Sequence, residues 1–209
     1  LKITNMKSFD TLVFDLGGVL IDWNPDYLYK NIFPNEEERR WFLSTVCTPD
    51  WNEEQDAGRT LRDGTELLVR KYPGHEASIR AFYDRWKEML GGPIHATVEI
   101  FRELKEKTDL KLYALTNWSA ETFPVALELY EFLHWFDGRL VSGEEKIRKP
   151  MPEIYQLLIR RFGIDPKRAI YVDDNLRNVV PAREEGFQGI HFRSPEQFSA
   201  ELKELGVLF

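Results

Sequence analysis

An aspartate ends the apolar run Thr11-Leu12-Val13-Phe14-Asp15, and an acidic pair ends another at Tyr171-Val172-Asp173-Asp174-Asn175. Between them lie Leu115-Thr116-Asn117, which closes a third apolar run, and Lys149-Pro150. Brought together, three carboxylates against one ammonium leave about two uncompensated negative charges, and like charges at short range raise one another's pKa or recruit a cation. An oxygen-rich, sulfur-free donor set suits Mg2+, which takes few carboxylates and keeps several waters. Such an ion polarises a phosphoryl oxygen and leaves one carboxylate free to attack. Phosphoryl transfer asks the protein mainly for in-line positioning and charge neutralisation, and carboxylates serve as nucleophiles toward phosphorus. Lys149 supplies the positive charge. Thr116 and Asn117 supply small hydrogen-bonding groups ahead of an expected helix, whose N-terminus favours anions.

The elements that position these residues are strand-like runs at Thr11 to Asp15, Lys111 to Thr116, Arg139 to Ser142, Ala169 to Asp173 and Gly189 to Arg193. Amphipathic helical patterns separate them at Ile94 to Lys107, Pro152 to Phe162, Leu176 to Glu185 and Pro195 to Leu205, with Gly163 and Gly186 as stop signals. Strands alternating with helices require crossover connections, so the fold class is α/β, a Rossmann-like doubly wound parallel sheet covered on both faces. In such sheets ligands sit beyond the carboxyl ends of the strands, where strand order reverses. Asp15, Thr116 and the Asp173-Asp174 pair all fall at such ends.

Between Asn24 and Leu90 the strand pattern disappears, and helical periodicity runs through Glu36 to Val46, Thr60 to Arg70 and Ala77 to Met89. The stretch is too long for a simple crossover and reads as an inserted helical cap over residues 23–91, closed by Gly91-Gly92-Pro93. Residues 1–22 and 92–209 then form the α/β core. A cap entering just after the first strand hangs over the strand ends, which places the site in a crevice between sheet edge and lid.

Composition sets limits. A net charge of −7 without a Lys/Arg run speaks against a nucleic-acid partner. No apolar stretch reaches the length of a spanning helix, and no signal-peptide pattern precedes Met6, read as the native start after a short leader. One cysteine, Cys47, excludes an internal disulfide framework. The expected location is cytoplasmic, without a membrane partner. The six tryptophans are scattered and lack basic neighbours, which fits packing better than a nucleobase platform, with Trp51 or Trp118 as candidates for the pocket wall. His75, His95, His134 and His191 have no ligand spacing.

In order, FDLGGVL, LTNWS, RKPMPEIY and YVDDNLRN resemble the four motifs of the haloacid dehalogenase superfamily, and the match spans nearly the whole chain. The resemblance implies a core of that type with a small helical cap, Asp15 as nucleophile and Mg2+ ligand, the Gly17 carbonyl and Asp174 as further ligands, Thr116 and Lys149 as phosphoryl-holding groups, and Asp173 as support. Asp22 matches a family position that shapes the flap. Family phosphatases carry a second aspartate two residues after the nucleophile as general acid and base; this chain has Gly17 there. General acid–base catalysis is worth about 10²- to 10⁴-fold, so turnover is expected to fall unless another group substitutes. Glu53, Glu54 and Asp56, in Trp51-Asn52-Glu53-Glu54-Gln55-Asp56, are candidates for that acid/base. That stretch is similar to the cap of bacterial sugar-phosphate phosphatases of the glucose-1-phosphate type. The expected partner is thus a small phosphorylated metabolite such as a sugar phosphate. Two alternatives stand beside this reading. One is a 2-haloacid dehalogenase, which lacks both the metal and the second aspartate; the other is a non-catalytic binding protein on the same fold.

Overall fold

The computed structural model describes residues 9–207; the expected start at Met6 lies outside them. The chain forms strands β1 (Thr11–Phe14), β2 (Ile21–Trp23), β3 (Leu90–Pro93), β4 (Lys111–Thr116), β5 (Gly138–Val141), β6 (Ala169–Asp173) and β7 (Gln188–His191). Five of them pair in parallel in the order β5-β4-β1-β6-β7. The chain leaves β1 toward β4 and β5, then returns to β1's other side with β6, so strand order reverses at β1. The carboxyl end of β1 is therefore the switch-point crevice where ligands sit in open α/β sheets.

The central strands are buried on both faces, as parallel strands under helices must be. Side chains alternate between faces: Leu12 and Phe14 of β1 join one hydrophobic cluster with Ile170 and Val172, while Val13 joins the other with Ala169 and Tyr171. Phe14 sits at the centre of an aromatic group, with ring centroids 5.2 Å from Phe101, 6.0 Å from Phe136 and 5.8 Å from Phe198. This anchoring fixes the height of the next residue, Asp15, at the sheet's rim.

The segment after β2 is helical: α1 (Asp26–Ile32), α2 (Glu36–Thr45), α3 (Pro49–Asp56), α4 (Leu61–Lys71) and α5 (Glu76–Asp84), followed by a 3₁₀ turn at Trp86–Met89. Asn35, Thr48 and Thr60 cap α2, α3 and α4 by accepting from the N–H groups of Glu38, Trp51 and Asp63. The remaining helices are α6 (His95–Lys107), α7 (Phe123–Leu129), α8 (Ser142–Glu145), α9 (Pro152–Phe162), α10 (Leu176–Glu184) and α11 (Pro195–Glu204). Among the described residues no helix is long and apolar enough to cross a membrane.

Two features depart from expectation. The segment expected to be a simple Gly-Gly-Pro closure is β3, paired antiparallel with β2 at the stem of the helical segment. The backbone of Gly91 packs closely against Asp22 and Tyr27 there, so that an added Cβ would displace the Asp22 carboxylate. That carboxylate accepts from the Tyr27 hydroxyl at 2.6 Å, and so holds the stem against α1. The second departure is α7, which begins at Phe123. Asn117 is thus separated from any helix N-terminus by a loop, and the expected anion-favouring end does not adjoin it.

Candidate active site

Asp15 leaves β1 with its backbone N–H on the Val172 carbonyl, 2.9 Å away, which locks it beside β6. Its Oδ1 accepts from the Leu16 N–H at 2.7 Å and lies 2.8 Å from Lys149 Nζ. Lys149 is fully buried, and its ammonium also reaches Asp173 Oδ2 at 2.7 Å and the Leu115 carbonyl at 3.1 Å. Asp173, the last residue of β6, accepts further bonds from the Tyr171 hydroxyl at 2.6 Å, the Asn175 N–H at 2.8 Å and Asn178 Nδ2 at 3.1 Å.

These contacts divide the three carboxylates by role. Burial works against ionisation of Asp173, but Lys149, Tyr171 and the Asn175 N–H outweigh it and hold its carboxyl below the usual range. Burial, then the charge of Asp173, push Asp15 well above that range, because Lys149 is shared between the two. Burial and Asp173 also raise Asp174. Burial alone would lower Lys149; the two flanking carboxylates reverse this and keep it charged. The site therefore carries an excess of negative charge that one lysine does not neutralise.

The residues fit a divalent cation. Asp15, Asp173 and Asp174 each offer an oxygen within 4.8 Å of one another, an all-oxygen set of the kind that Mg2+ takes. The loop between β1 and β2 is shaped to the same group: Gly18 has φ +71°, and a Cβ there would lie 2.1 Å from Asp174 Oδ2. Only glycine lets this backbone come so close to the carboxylate. Gly17 lines the crevice beside Asp15 and Asp174 and bridges to Ile21.

The other expected residues separate on inspection. Thr116 ends β4 and is buried, whereas Asn117 forms part of the crevice wall. The Asn117 amide is taken up by the Lys149 backbone, accepting from its N–H at 2.8 Å and donating to its carbonyl at 3.0 Å. It therefore sets the height of the lysine loop. Glu53 of α3 is clasped between Arg148, at 2.6 Å, and Arg177, tying the helical segment to the sheet's rim. Glu54 is exposed, with Arg148 3.7 Å away. Asp56 is different: burial first, then the charge of Glu53, push its carboxyl up to about 7. It accepts from Asn52 Nδ2 at 3.2 Å and from the Ser119 backbone, and it lines the same crevice of about 470 Å³ as Asp15, Gly17 and Lys149. Among the tryptophans, Trp118 lines a side pocket together with Trp23 and Trp86, while Trp51 packs edge-on to Phe82 at 5.1 Å in the helical segment.

Four residues at the site escaped the sequence: Tyr171, Asn178, Arg148 and Arg177. Tyr171 was legible in principle, because it stands two residues before Asp173 on one strand and so shares its face. Asn178 follows Asn175 by one helical turn, which returns it to the same carboxylate. The two arginines carry no local signal, since their partner Glu53 is remote in the chain.

The sequence frames the function by a loss at position 17, with slowed phosphatase turnover, a metal-free dehalogenase or a non-catalytic binding protein as the outcomes; the structure corrects this. The acidic centre is intact, with Asp173 and Asp174 both gathered on Asp15, and no glycine stands in for a member of that cluster. Gly17 contributes backbone, in a place where an added Cβ would meet nothing within 4 Å.

A family model described as haloacid dehalogenase-like hydrolase matches residues 9–186. The sesquiterpene phosphatase astK of Aspergillus oryzae is 27% identical over 95% of this chain and 97% of its own length. A phosphorylated carbohydrates phosphatase of Thermotoga maritima is 23% identical over 87% of this chain and 84% of its own. Among solved structures, the enzyme bt-2542 of Bacteroides thetaiotaomicron, in complex with magnesium and inorganic phosphate, superposes with a TM-score of 0.69 at 22% identity, covering 93% of this chain and 99% of that one. The L-2-haloacid dehalogenase of Xanthobacter autotrophicus shares the fold at a TM-score of 0.63 and 19% identity, over 94% and 83% of the two chains.

Proposed function

The chain belongs to the haloacid dehalogenase-like hydrolases, and we propose that within them it is a magnesium-dependent phosphatase for small phosphomonoesters. The observation that carries this reading is the meeting of Asp15, Asp173 and Asp174 around Lys149 at the switch point, with Asp56 facing the same crevice. Asp15, Asp174 and the Gly17 carbonyl would hold Mg2+, which would supply the positive charge that lets an anionic ester approach a carboxylate.

Asp15 is the nucleophile. Lys149 and the Leu16 N–H engage its Oδ1, which leaves Oδ2 to attack phosphorus. A bond forms between Oδ2 and phosphorus while the bond from phosphorus to the leaving oxygen breaks, and protonated Asp56 gives its proton to that oxygen. The resulting Asp56 carboxylate then takes a proton from water, whose oxygen attacks phosphorus, releases phosphate and restores Asp15. Lys149 stays protonated throughout and neutralises the phosphoryl oxygens. Names among the relatives support a phosphatase: two of them are a sesquiterpene phosphatase and a phosphorylated carbohydrates phosphatase. The similarity of the Trp51 to Asp56 stretch to sugar-phosphate phosphatases adds sugar phosphates to the candidate substrates.

A screen of sugar phosphates, nucleotides and phosphorylated acids with Mg2+ tests the reading. EDTA is expected to lower phosphate release at least about 100-fold, with recovery on adding Mg2+. Turnover of an ester, or of a 2-haloacid, that EDTA leaves untouched would contradict it.

A further inference from the structure

A second pocket of about 90 Å³ opens off the catalytic crevice and shares Gly17, Trp23, Asn52, Asp56 and Asn117 with it. Its remaining walls include Tyr83, Trp86 and Trp118, so four aromatic rings surround a space that begins at the Asp56 carboxyl. Trp86 and Trp118 meet edge to face at 5.8 Å, which holds this wall in place. Among the described residues the pocket walls carry no Lys, Arg or His.

Most of the polar side-chain atoms on these walls are already engaged within the protein. Asn52 Oδ1 accepts from the Tyr83 hydroxyl at 2.9 Å and its Nδ2 donates to Asp56 at 3.2 Å. The Tyr83 oxygen in turn accepts from Gln55 Nε2 at 2.8 Å. Thr122 Oγ1 accepts from Trp118 Nε1 at 3.0 Å, and both ends of the Asn117 amide are spent on Lys149. The four rings give the pocket an apolar wall beside Asp56.

Resting on the phosphatase reading above, we infer that this pocket receives the leaving group, and that it selects an uncharged alcohol presenting an apolar face, about one ring in size. An anionic leaving group would be desolvated without a cation to pair with, beside a carboxyl already raised by burial and by Glu53, and unpaired buried charge is strongly disfavoured. A cavity of about 150 Å³ holds benzene; this smaller one, open on its crevice side, takes the greater part of a ring and passes any longer chain outward. Its position next to Asp56 puts the leaving oxygen within reach of the proton donor, so filling the pocket also orients the bond that breaks.

The test compares three esters whose leaving alcohols have similar reactivity: benzyl phosphate, 4-carboxybenzyl phosphate and ethyl phosphate, with acetyl phosphate as a minimal probe and Mg2+ in all assays. Wild-type kcat/KM for benzyl phosphate is expected to exceed that of each of the other two esters by at least about 10-fold, the scale by which apolar pockets discriminate. Trp86→Ala is expected to bring benzyl and ethyl phosphate within about 3-fold of each other; Trp86→Phe, checked by thermal melting, should retain the preference. Equal kcat/KM for all three esters in the wild type overturns the pocket assignment and leaves the phosphatase intact. Absence of Mg2+-dependent hydrolysis of every compound, acetyl phosphate included, overturns both.

Discussion

Asp15→Asn is expected to cost at least about 10³-fold in phosphatase kcat while the protein stays folded. An amide oxygen is a poor nucleophile, and removing the group that forms the covalent bond takes away a step that no neighbour can supply. Asp173 is in no position to replace it, since its oxygens are occupied by Lys149, Tyr171, Asn175 and Asn178. The fold should survive because the carboxyl of Asp15 is raised by burial and by Asp173; the neutral amide relieves that repulsion and keeps an acceptor for the Leu16 N–H. Single-turnover assays with Mg2+ and circular dichroism check both halves. A variant with more than a tenth of wild-type kcat would remove Asp15 from the chemistry.

Asp56→Asn is expected to lower kcat/KM about 10²- to 10⁴-fold, the usual worth of general acid–base catalysis, with larger losses for alkyl than for aryl esters because a poorer leaving group needs its proton more. The pH profile provides a signature. With its carboxyl held up near 7 by burial and by Glu53, wild-type Asp56 loses its proton through neutrality, and kcat/KM should fall above that point; the amide variant should lack this limb. Stability should move the other way. A folded-state pKa raised from 3.8 to about 7 means that stability present below pH 4 is lost as pH rises through 7, by up to roughly 4 kcal/mol. Asp56→Asn should therefore melt higher than wild type at pH 8, with the gap closing toward pH 4. If the variant is equally active and its melting difference is independent of pH, Asp56 is a packing residue.

The sheet was legible because its central strands are buried on both faces and so read as apolar runs, with Asp15 and Asp173 marking where two of them meet the crevice. Lys149 and Asp174 were legible through their neighbours. The β2 and β3 pair was not, because its strands are only partly buried and so form no apolar run, and Gly91-Gly92 signals a turn while Gly91 lies close against Asp22. Glu53, Glu54 and Asp56 were equivalent as letters. The helix α3 separates them, with Glu54 in solvent, Glu53 between two arginines and Asp56 half-buried against Ser119. Burial decides which carboxyl titrates near neutrality, and burial of a helix face by a remote segment leaves no mark on the local sequence. For the same reason the pocket formed by Trp23, Tyr83, Trp86 and Trp118 was not visible: these residues come from three separate places in the chain.

The central claim is that the carboxylates at the sheet's rim hold a divalent cation. Titrating the purified protein with Mg2+ in a calorimeter, beside Asp174→Ala, tests it most directly. One ion per chain should bind to the wild type, with affinity weakened at least about 10-fold in the variant, whose melting profile should otherwise match. Binding of equal strength in the two proteins, or no binding to either, would contradict the account.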